Sequence, residues 1–277
     1  MKLARRLNLA LGLIVALLAP VPAHAGYTLD GTNDRVDIGT MGSFGSSIKA
    51  SAGWTMMCWV KTSQSSVATI MASFTTGAQG AVSAANQSIW FSLAGYTSDI
   101  ANNADHVLIN FGDYTDTGVL WHQELGAGTV SDNVLHHHAV SVVANGSGAG
   151  SNASKAIVWY QDGVAKTTWT KPYSDGLGTV ANFANTLAIG AERKNGGTWF
   201  NWTSGTFADC RLYLANLSAQ EIYDIYALRG RDSVTRGLHR RWPLQSACIE
   251  TVKNDTCTPQ NGPTLTTVNE MYGVRRR

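Results

Sequence analysis

The glutamates of this chain do not form the carboxylate pair on which glycoside hydrolysis depends. A hydrolase of that kind needs two carboxyl groups a few ångströms apart, one acting as acid and the other as nucleophile or base. No two glutamates are close in sequence, since they occupy positions Glu124, Glu192, Glu221, Glu250 and Glu270. Carboxylates from separate strands could still converge in space. A glycan hydrolase or lyase therefore remains an alternative function, and we predict no catalytic residue.

The run His136-His137-His138 is the most conspicuous polar feature of the sequence. It lies in a predicted strand, so His136 and His138 share one face and could supply two ligands to a metal ion. Zinc sites take three or four protein ligands, and no third ligand is identifiable here. We therefore interpret the run as structural and predict no transition metal.

Tryptophans offer another chemistry, because flat and partly exposed aromatic rings stack on the C–H faces of sugars. Two of them, Trp199 and Trp202, lie in a loop rich in Gly and Asn, outside the strands that build a core. The candidate ligand-binding residues are these two and three in predicted strands: Trp59, Trp90 and Trp121. A second interpretation of the loop pair stays open, in which the rings only cover the end of the fold. The tryptophans predicted to lie in the core are Trp54, Trp159 and Trp242.

Alternating side chains predict the strands that would position these residues. In residues 54–61 one face carries Trp54, Met56, Cys58 and Val60, and in residues 207–214 one face carries Cys210, Leu212 and Leu214. Further strands are predicted at 67–74, 88–94, 106–111, 119–123 and 135–142. A single helix follows, because Ser218 and Glu221 form a capping box just before Ile222 and Ile225.

Several segments, taken in order, resemble the laminin G-like jelly rolls of the concanavalin A-like lectin/glucanase superfamily. The longest is GTFADCRLYLANLSAQEI, residues 205–222, which is similar to a strand and helix start late in those domains. The others are the opening YTLDGTNDRVDIG, the strands WTMMCWVK, LHHHAVSV and IVWYQDG, and the closing RWPL. The resemblance implies an all-β fold, a two-sheet antiparallel β-sandwich with one short helix near the C-terminal end. It covers residues 26–244, and we expect residues 245–277 to be a loop-rich extension.

The same resemblance implies a candidate cofactor. Jelly rolls of this superfamily often bind calcium at a rim through Asp side chains and backbone carbonyls, the oxygen ligands that hard cations prefer. Asp30, Asp34 and Asp209 stand where the family has acidic residues, so they are the candidate metal ligands. The alternative is that Asp30 and Asp34 only form a turn and that Asp209 caps or pairs locally.

The first 25 residues are predicted to be a signal peptide. Three basic residues precede the apolar stretch 9–18, and Ala23-His24-Ala25 forms a cleavage site. Removing these three positive charges from a formal net charge of +2 leaves −1, so charge gives no indication of nucleic-acid binding. The sequence has no second long apolar run. We expect a secreted, periplasmic or cell-surface protein with no membrane anchor after cleavage.

The four cysteines belong to a predicted exported chain, in which disulfides persist. Cys248 and Cys257 are close in sequence and are predicted to form a disulfide that ties down the tail. Cys58 and Cys210 fall on the apolar faces of their strands, where either they pair across the core or they remain buried thiols. No C-x-x-C spacing is present, so thiolate zinc sites and thioredoxin-like redox chemistry are not supported.

These patterns favour a secreted, non-catalytic module that binds carbohydrate or an extracellular protein surface, with calcium as a candidate aid to binding. A different class of function is a structural or adhesive subunit of a surface assembly, because a sandwich with a tail can pack against copies of itself. The fold alone does not decide between them.

Overall fold

The computed structural model describes residues 25–40, 51, 53–74, 88–93, 107–112, 123–125, 130–143, 154–172, 186–193, 198–244, 248, 250–253 and 256–268. Within them, strands form two antiparallel sheets that pack into a sandwich, accompanied by one short helix. The predicted fold class is therefore confirmed. The predicted signal peptide lies outside the described residues apart from Ala25, which begins the first strand. Across the described ranges, no helix is long and apolar enough to cross a membrane.

Eight strands form the larger sheet, sheet A. They are β1 (Ala25–Asp30), β3 (Gly53–Lys61), β8 (Leu135–Val143), β9 (Ser154–Gln161), β10 (Val164–Pro172), β14 (Ser204–Tyr213), β15 (Leu238–Trp242) and β17 (Thr264–Thr267). Their order is β10-β9-β8-β3-β14-β1-β17, and β15 pairs with β14 outside this order. The two strands with the clearest alternation in sequence, β3 and β14, are thus central neighbours.

Seven strands form sheet B, and two very short strands stand apart. Sheet B contains β2 (Arg35–Thr40), β4 (Ala68–Phe74), β5 (Ser88–Leu93), β6 (Val107–Gly112), β7 (Gln123–Leu125), β11 (Thr186–Ile189) and β16 (Thr258–Gln260). Their order is β16-β2-β11-β4-β5-β6-β7. The short pair is β12 (Glu192–Arg193) and β13 (Trp199–Phe200), which precedes β14 in the chain. Of the predicted strands, only 119–123 falls largely outside the described residues.

A hydrophobic core fills the space between the sheets. Sheet A contributes the predicted face of β3, Trp54, Met56, Cys58 and Val60, and sheet B contributes Val36, Ile70, Phe91, Leu187 and Ile189 among others. The predicted core tryptophans are confirmed, since Trp54, Trp159 and Trp242 are at most 2% exposed. Cys58 and Cys210 form a disulfide inside this core, which decides between the two alternatives for that pair.

Part of the outer face of sheet A is buried as well, beneath helix α1 (Ala219–Leu228). Ser218 and Glu221 form the predicted capping box at its start. Ile222 and Ile225 then pack with Met57 and with side chains from β8, β9 and β14. Strand β3 is therefore covered on both faces, although its alternation suggested only one buried face.

A group of four charged side chains, here called the ion cluster, lies where β14 bulges. The cluster consists of Asp209, Arg211, Asp232 and Arg241. Asp209 has a φ of +43° at the bulge, and its carboxylate accepts from Arg211 Nη2 at 2.6 Å and from Arg241 Nε at 2.7 Å. Arg211 Nη2 also donates to Asp232 at 2.8 Å. Burial pushes the pKa of Asp209 upward, but Arg211 and Arg241 outweigh it and hold the pKa below its ordinary value.

The C-terminal extension, predicted to be loop-rich, adds one short edge strand to each sheet, which the sequence did not predict. Strand β16 pairs with β2, and β17 pairs with β1. These strands are three and four residues long, too short for alternation to reveal them. Glu250 is fully buried and accepts the backbone N–H of Arg241 at 2.8 Å. The predicted disulfide between Cys248 and Cys257 is present and closes a short loop within the extension.

Candidate functional site

One end of the sandwich, here called the rim, brings together five connecting segments. They are residues 30–35, 62–67, 130–134, 162–163 and 198–204. The backbone N–H of Asn133 donates to Thr62 O at 2.9 Å, and Thr62 Oγ1 donates to Ser204 O at 2.7 Å, which links three of them. Connecting segments held by a rigid sandwich are where binding residues are commonly placed. Residues 198–204, here called the rim segment, carry the two loop tryptophans.

Trp199 and Trp202 lie side by side in the rim segment, and both are partly exposed. Their ring centroids are 6.2 Å apart and their planes are inclined by 37°. The guanidinium carbon of Arg35 lies 3.9 Å from the centroid of the Trp199 ring and so covers one face of it. Arg35 Nε in turn donates to Asp37 Oδ1 at 2.8 Å. The structure therefore brings the predicted pair together and leaves aromatic surface at the rim.

Polar contacts from two neighbouring segments fix the backbone of the rim segment. Gln64 Nε2 donates to Trp202 O at 3.1 Å, while Gln64 Oε1 accepts the N–H of Ser204 at 2.8 Å. On the other side, Asn201 Nδ2 donates to the buried carboxylate of Glu192 at 2.6 Å. The two Gln64 bonds join the rim segment to residues 62–67, and the Asn201 bond joins it to strand β12. The tryptophans are consequently held by their backbone rather than by burial of their rings.

Sequence reasoning did not identify the residues that hold the tryptophans. Arg35 and Gln64 contact the rim segment from distant parts of the chain, whereas Glu192 contacts it across the local pairing of β12 with β13. Asn201 carries the only local signal: its φ of +48° is a left-handed conformation that Asn adopts more readily than most residues. The position of Asn201 between two aromatic residues was thus the one feature of this sequence segment that indicated a sharp turn.

The other three candidate ligand-binding tryptophans have different outcomes. Trp59 is 2% exposed, and its ring stacks on Tyr226 of α1 with centroids 5.6 Å apart. A sugar has no access to that ring, so the predicted ligand-binding role of Trp59 is corrected: α1 covers the face on which it lies. Trp90 lies in β5, but its side chain falls outside the described residues, and Trp121 falls outside them entirely.

The three candidate calcium ligands do not form one set. Asp30 Oδ1 accepts the backbone N–H groups of Thr32 and Asn33 at 2.8 and 3.1 Å, as a turn-forming aspartate does. Asp209 belongs to the ion cluster. It lies five residues beyond Ser204, the partner of Asp30 on β14, hence roughly 16 Å away along the strand at about 3.3 Å per residue. In the described part of the chain, no group of three or more His, Cys, Asp or Glu side chains is placed to hold a metal ion.

Asp30 and Asp34 nevertheless influence each other. The backbone amides of Thr32 and Asn33 lower the pKa of Asp30. Burial, and then the neighbouring charge of Asp30, raise the pKa of Asp34. Asp34 Oδ2 accepts the backbone N–H of Asp30 at 3.2 Å. Any calcium prediction for this chain now rests on these two residues alone, without Asp209.

His136 is held between two carboxylates at the rim. Its Nδ1 lies 2.7 Å from Asp162 Oδ2, and its Nε2 lies 3.2 Å from Asp132 Oδ2. Burial lowers the pKa of His136, but Asp162 and Asp132 outweigh burial and raise it. Both nitrogens face acceptors, so this geometry suits an imidazolium that donates twice rather than a metal ligand.

His137 and His138 are fully buried on opposite faces of β8, and none of their ring nitrogens has a hydrogen-bond partner among the described residues. Burial, followed by the positive charge of Arg211, lowers the pKa of His137 to about 4. Burial, followed by the charge of His136, lowers the pKa of His138 to about 3. His138 stacks on Trp159 with centroids 6.1 Å apart. These two histidines pack as neutral rings, in agreement with the structural interpretation of the run.

Comparison with known proteins supports the fold. No protein-family profile matches the chain. A search of curated proteins finds no match either. Among solved structures, a candidate carbohydrate-binding protein from Bacteroides ovatus aligns with a TM-score of 0.56 at 14% identity, over 90% of this chain and 61% of that one. This chain thus spans less than two thirds of that protein.

Two further structures are similar to this chain. The heptameric SAP-like pentraxin of Limulus polyphemus aligns with a TM-score of 0.55 at 13% identity, over 91% of this chain and 99% of that one. The CBM40 domain of the Ruminococcus gnavus IT-sialidase, bound to α2,3-sialyllactose, aligns at 0.48 and 14% identity, over 73% and 96%. At such identities the likeness to the first two proteins shows a shared β-sandwich fold and nothing further.

Proposed function

We propose that this chain is a secreted, non-catalytic module that binds carbohydrate through the rim segment. The observation that carries the proposal is the pair of adjacent, partly exposed indoles of Trp199 and Trp202 on a backbone held by Gln64 and Asn201. Aromatic rings bury sugar surface at low entropic cost, and rings fixed in advance lose little further freedom on binding.

The charges around the two indoles favour binding over hydrolysis. Asp37 accepts from Arg35, Glu192 accepts from Asn201, and Asp30 accepts backbone amides of its own turn. A glycosidase would need one protonated carboxyl group and a second carboxylate facing a common cleft. The carboxylates that flank the rim segment are instead engaged in holding local structure.

Two further observations support an exported binding module. The chain contains two disulfides, which persist in oxidising compartments such as the periplasm or the cell exterior. The structurally similar proteins include one described as a candidate carbohydrate-binding protein. Export itself rests on the signal-peptide pattern of residues 1–25.

A glycan array probed with the purified secreted protein, in calcium and in chelator, tests the proposal. We expect binding that is lost in the double variant Trp199→Ala/Trp202→Ala. Tyr223→Ala is the matched control, because Tyr223 is an aromatic residue on α1 with 48% of its surface exposed. Silence across the array in both conditions would overturn the carbohydrate proposal. Binding that survives chelator would remove calcium from the proposal and leave the rest intact.

A silent array would direct attention to the alternative of a structural or adhesive subunit. Light scattering over a range of protein concentrations would then measure self-assembly. Growth of the particle size with concentration would favour a subunit of an assembly, and a constant monomer would favour a protein ligand.

A further inference from the structure

Strand β17 is an edge of sheet A that is open to a further strand. It pairs with β1 on one side, and no strand lies on its other side in the described sheets. Three of its four residues are exposed, and Leu265 keeps 45% of its surface accessible. An exposed edge presents a row of backbone N–H and C=O groups to which another chain can pair. The edge therefore offers a surface for strand addition.

Natural proteins protect the edges of their sheets with charged side chains or proline. Each of the other edge strands described in the two sheets carries such residues in its sequence. These are Lys166, Lys171 and Pro172 in β10, Glu124 in β7, Pro259 in β16, and Arg240 and Arg241 in β15. Strand β17 has neither a charge nor a proline. Among the strands that the structure describes, it is the edge least protected against pairing.

A second copy of the same strand suits this edge. The strand is uncharged, so two copies of it do not repel each other. In an antiparallel pair, two opposed residues either both direct their backbone groups toward the partner strand or both direct them away, and the two kinds of pair alternate. A two-fold axis between identical strands must therefore pass through a residue and not between two residues. The central residues of β17 are Leu265 and Thr266.

A row of threonine hydroxyls favours the axis at Leu265. Thr206, Thr28 and Thr266 lie on the neighbouring strands β14, β1 and β17. The Oγ1 atoms are 2.8 Å apart between Thr206 and Thr28, and 2.7 Å apart between Thr28 and Thr266. An axis at Leu265 sets Thr266 against Thr264 of the second copy, so the row continues across the interface as a stabilising cross-strand pair. An axis at Thr266 would instead oppose Leu265 to a threonine hydroxyl.

We propose that β17 pairs with β17 of a second copy of this chain, antiparallel about a two-fold axis at Leu265, so that sheet A continues through a symmetric dimer. Such an interface is closed and stops at two copies. Four residues on each side bury far less than the roughly 800 Å² per partner of a stable interface. The expected dissociation constant is therefore weak, roughly 10–500 µM. The inference goes beyond the proposed function, because the paired strand contains no residue of the rim segment.

Sedimentation equilibrium of the full secreted protein, at about 1–500 µM, measures the dimer. Leu265→Lys sets two positive charges against each other at the axis and should weaken dimerisation at least roughly tenfold. Val164→Lys is the matched control, because Val164 is an apolar residue on the opposite edge strand β10 with 56% of its surface exposed. It should leave dimerisation unchanged. Both variants should keep the melting temperature and glycan binding of the parent, so loss of the dimer leaves the proposed function standing.

A cysteine cross-link tests the register. The four native cysteines form two disulfides, so an introduced cysteine is the one free thiol. Leu265→Cys brings two thiols face to face, with Cα atoms about 5 Å apart, within the range of a disulfide. Thr267→Cys is the control, since its two copies would lie four residues apart, roughly 13 Å along the strand. We expect Leu265→Cys to form covalent dimers on mild oxidation, read on a non-reducing gel, and Thr267→Cys to remain monomeric.

Three results would overturn the inference. The first is a parent protein that stays monomeric at the highest concentration, and the second is an assembly that grows beyond two copies. The third is equal weakening of the dimer by Leu265→Lys and Val164→Lys, which would place the interface elsewhere. Cross-linking of Thr267→Cys as fast as Leu265→Cys would likewise overturn the axis at Leu265.

Discussion

Strand β14 joins two regions that use polar groups in opposite ways. At its start, the rim segment has polar contacts that hold the backbone and leave two indoles partly exposed. At its bulge, the ion cluster buries Asp209, Asp232 and Arg211 against each other with almost no exposed surface. The comparison shows that polar bonds at the rim shape a surface, whereas the buried bonds satisfy charges that would otherwise be costly to bury. Changes in the ion cluster should therefore alter stability, and changes at the rim should alter affinity.

The largest expected effect is the loss of a buried charge from the ion cluster. Asp209→Asn keeps the size of the side chain and tolerates the left-handed backbone at this position, but it removes the negative charge shared by Arg211 and Arg241. We expect the free energy of unfolding to fall by about 3–5 kcal/mol, the usual cost of breaking a buried ion pair. Denaturant unfolding measures the change.

The comparison would fail if Asp209→Asn lowered glycan affinity as strongly as it lowered stability. At a temperature where the variant is still folded, its affinity should match that of the parent protein. A loss of stability below about 1 kcal/mol would instead show that the ion cluster behaves as a surface pair.

His138 differs from the residues of the ion cluster, because it is buried and its ring nitrogens have no hydrogen-bond partner among the described residues. The pKa of His138 in the folded protein is about 3, far below its unfolded value of about 6.5, so the unfolded chain takes up a proton first as the pH falls. Stability must therefore decrease as the pH drops from 6.5 toward 3. The expected loss from His138 is on the order of 2 kcal/mol between pH 6.5 and 5.

His138→Leu removes this titration and retains an apolar group against Trp159. Denaturant unfolding at several pH values should show that the free energy of unfolding falls less steeply below pH 6.5 in the variant than in the parent. The charged groups that influence the pKa of His138 are His136, Asp162, His137 and Asp132, and they are unchanged in the variant. If the free energy of unfolding fell equally steeply in both proteins, His138 would have to bind a proton in the folded protein as readily as in the unfolded chain.

The two regions also differ in how far the sequence predicts them. Alternation in β3 and β14 predicted the core face correctly, because a period of two reports which side chains share a face. It could not predict that Trp59 is covered, since this depends on Tyr226 of a helix far along the chain. Composition placed Trp199 and Trp202 in a loop, whereas Trp199 lies in the two-residue strand β13. It could not reveal the support from Gln64, because that bond joins residues 138 positions apart.

The sequence also could not show that Asp209 lies in the ion cluster. The motif around Asp209 resembles that of laminin G-like domains, but the function of a carboxylate depends on which cations the fold brings to it. Here Arg211 comes from the same strand and Arg241 from the neighbouring strand β15. The pairing of β14 with β15 is a long-range property that no local pattern reports.

The smallest expected change in stability, and the most direct test of the rim, comes from Gln64→Ala. The variant loses the amide that accepts the Ser204 N–H and donates to Trp202 O. Each exposed or half-buried hydrogen bond contributes only about 1 kcal/mol, so the melting temperature should fall by no more than a few degrees. The rim segment would then populate its binding geometry for only part of the time, and the apparent affinity falls by that fraction.

We expect Gln64→Ala to weaken glycan binding by about fivefold, measured by calorimetry. A loss of this size means that the rim segment holds its binding geometry in about one fifth of the molecules. Gln220→Ala is the matched control, because Gln220 makes one exposed bond to Asp224 on α1 and does not contact the rim segment. Gln64→Glu should recover part of the affinity, since its carboxylate can still accept from Ser204 but cannot donate to Trp202. Equal affinities of Gln64→Ala and Gln220→Ala would mean that the rim segment holds its shape without Gln64. The bond between Asn201 and Glu192 would then be the remaining polar contact that holds the rim segment for binding.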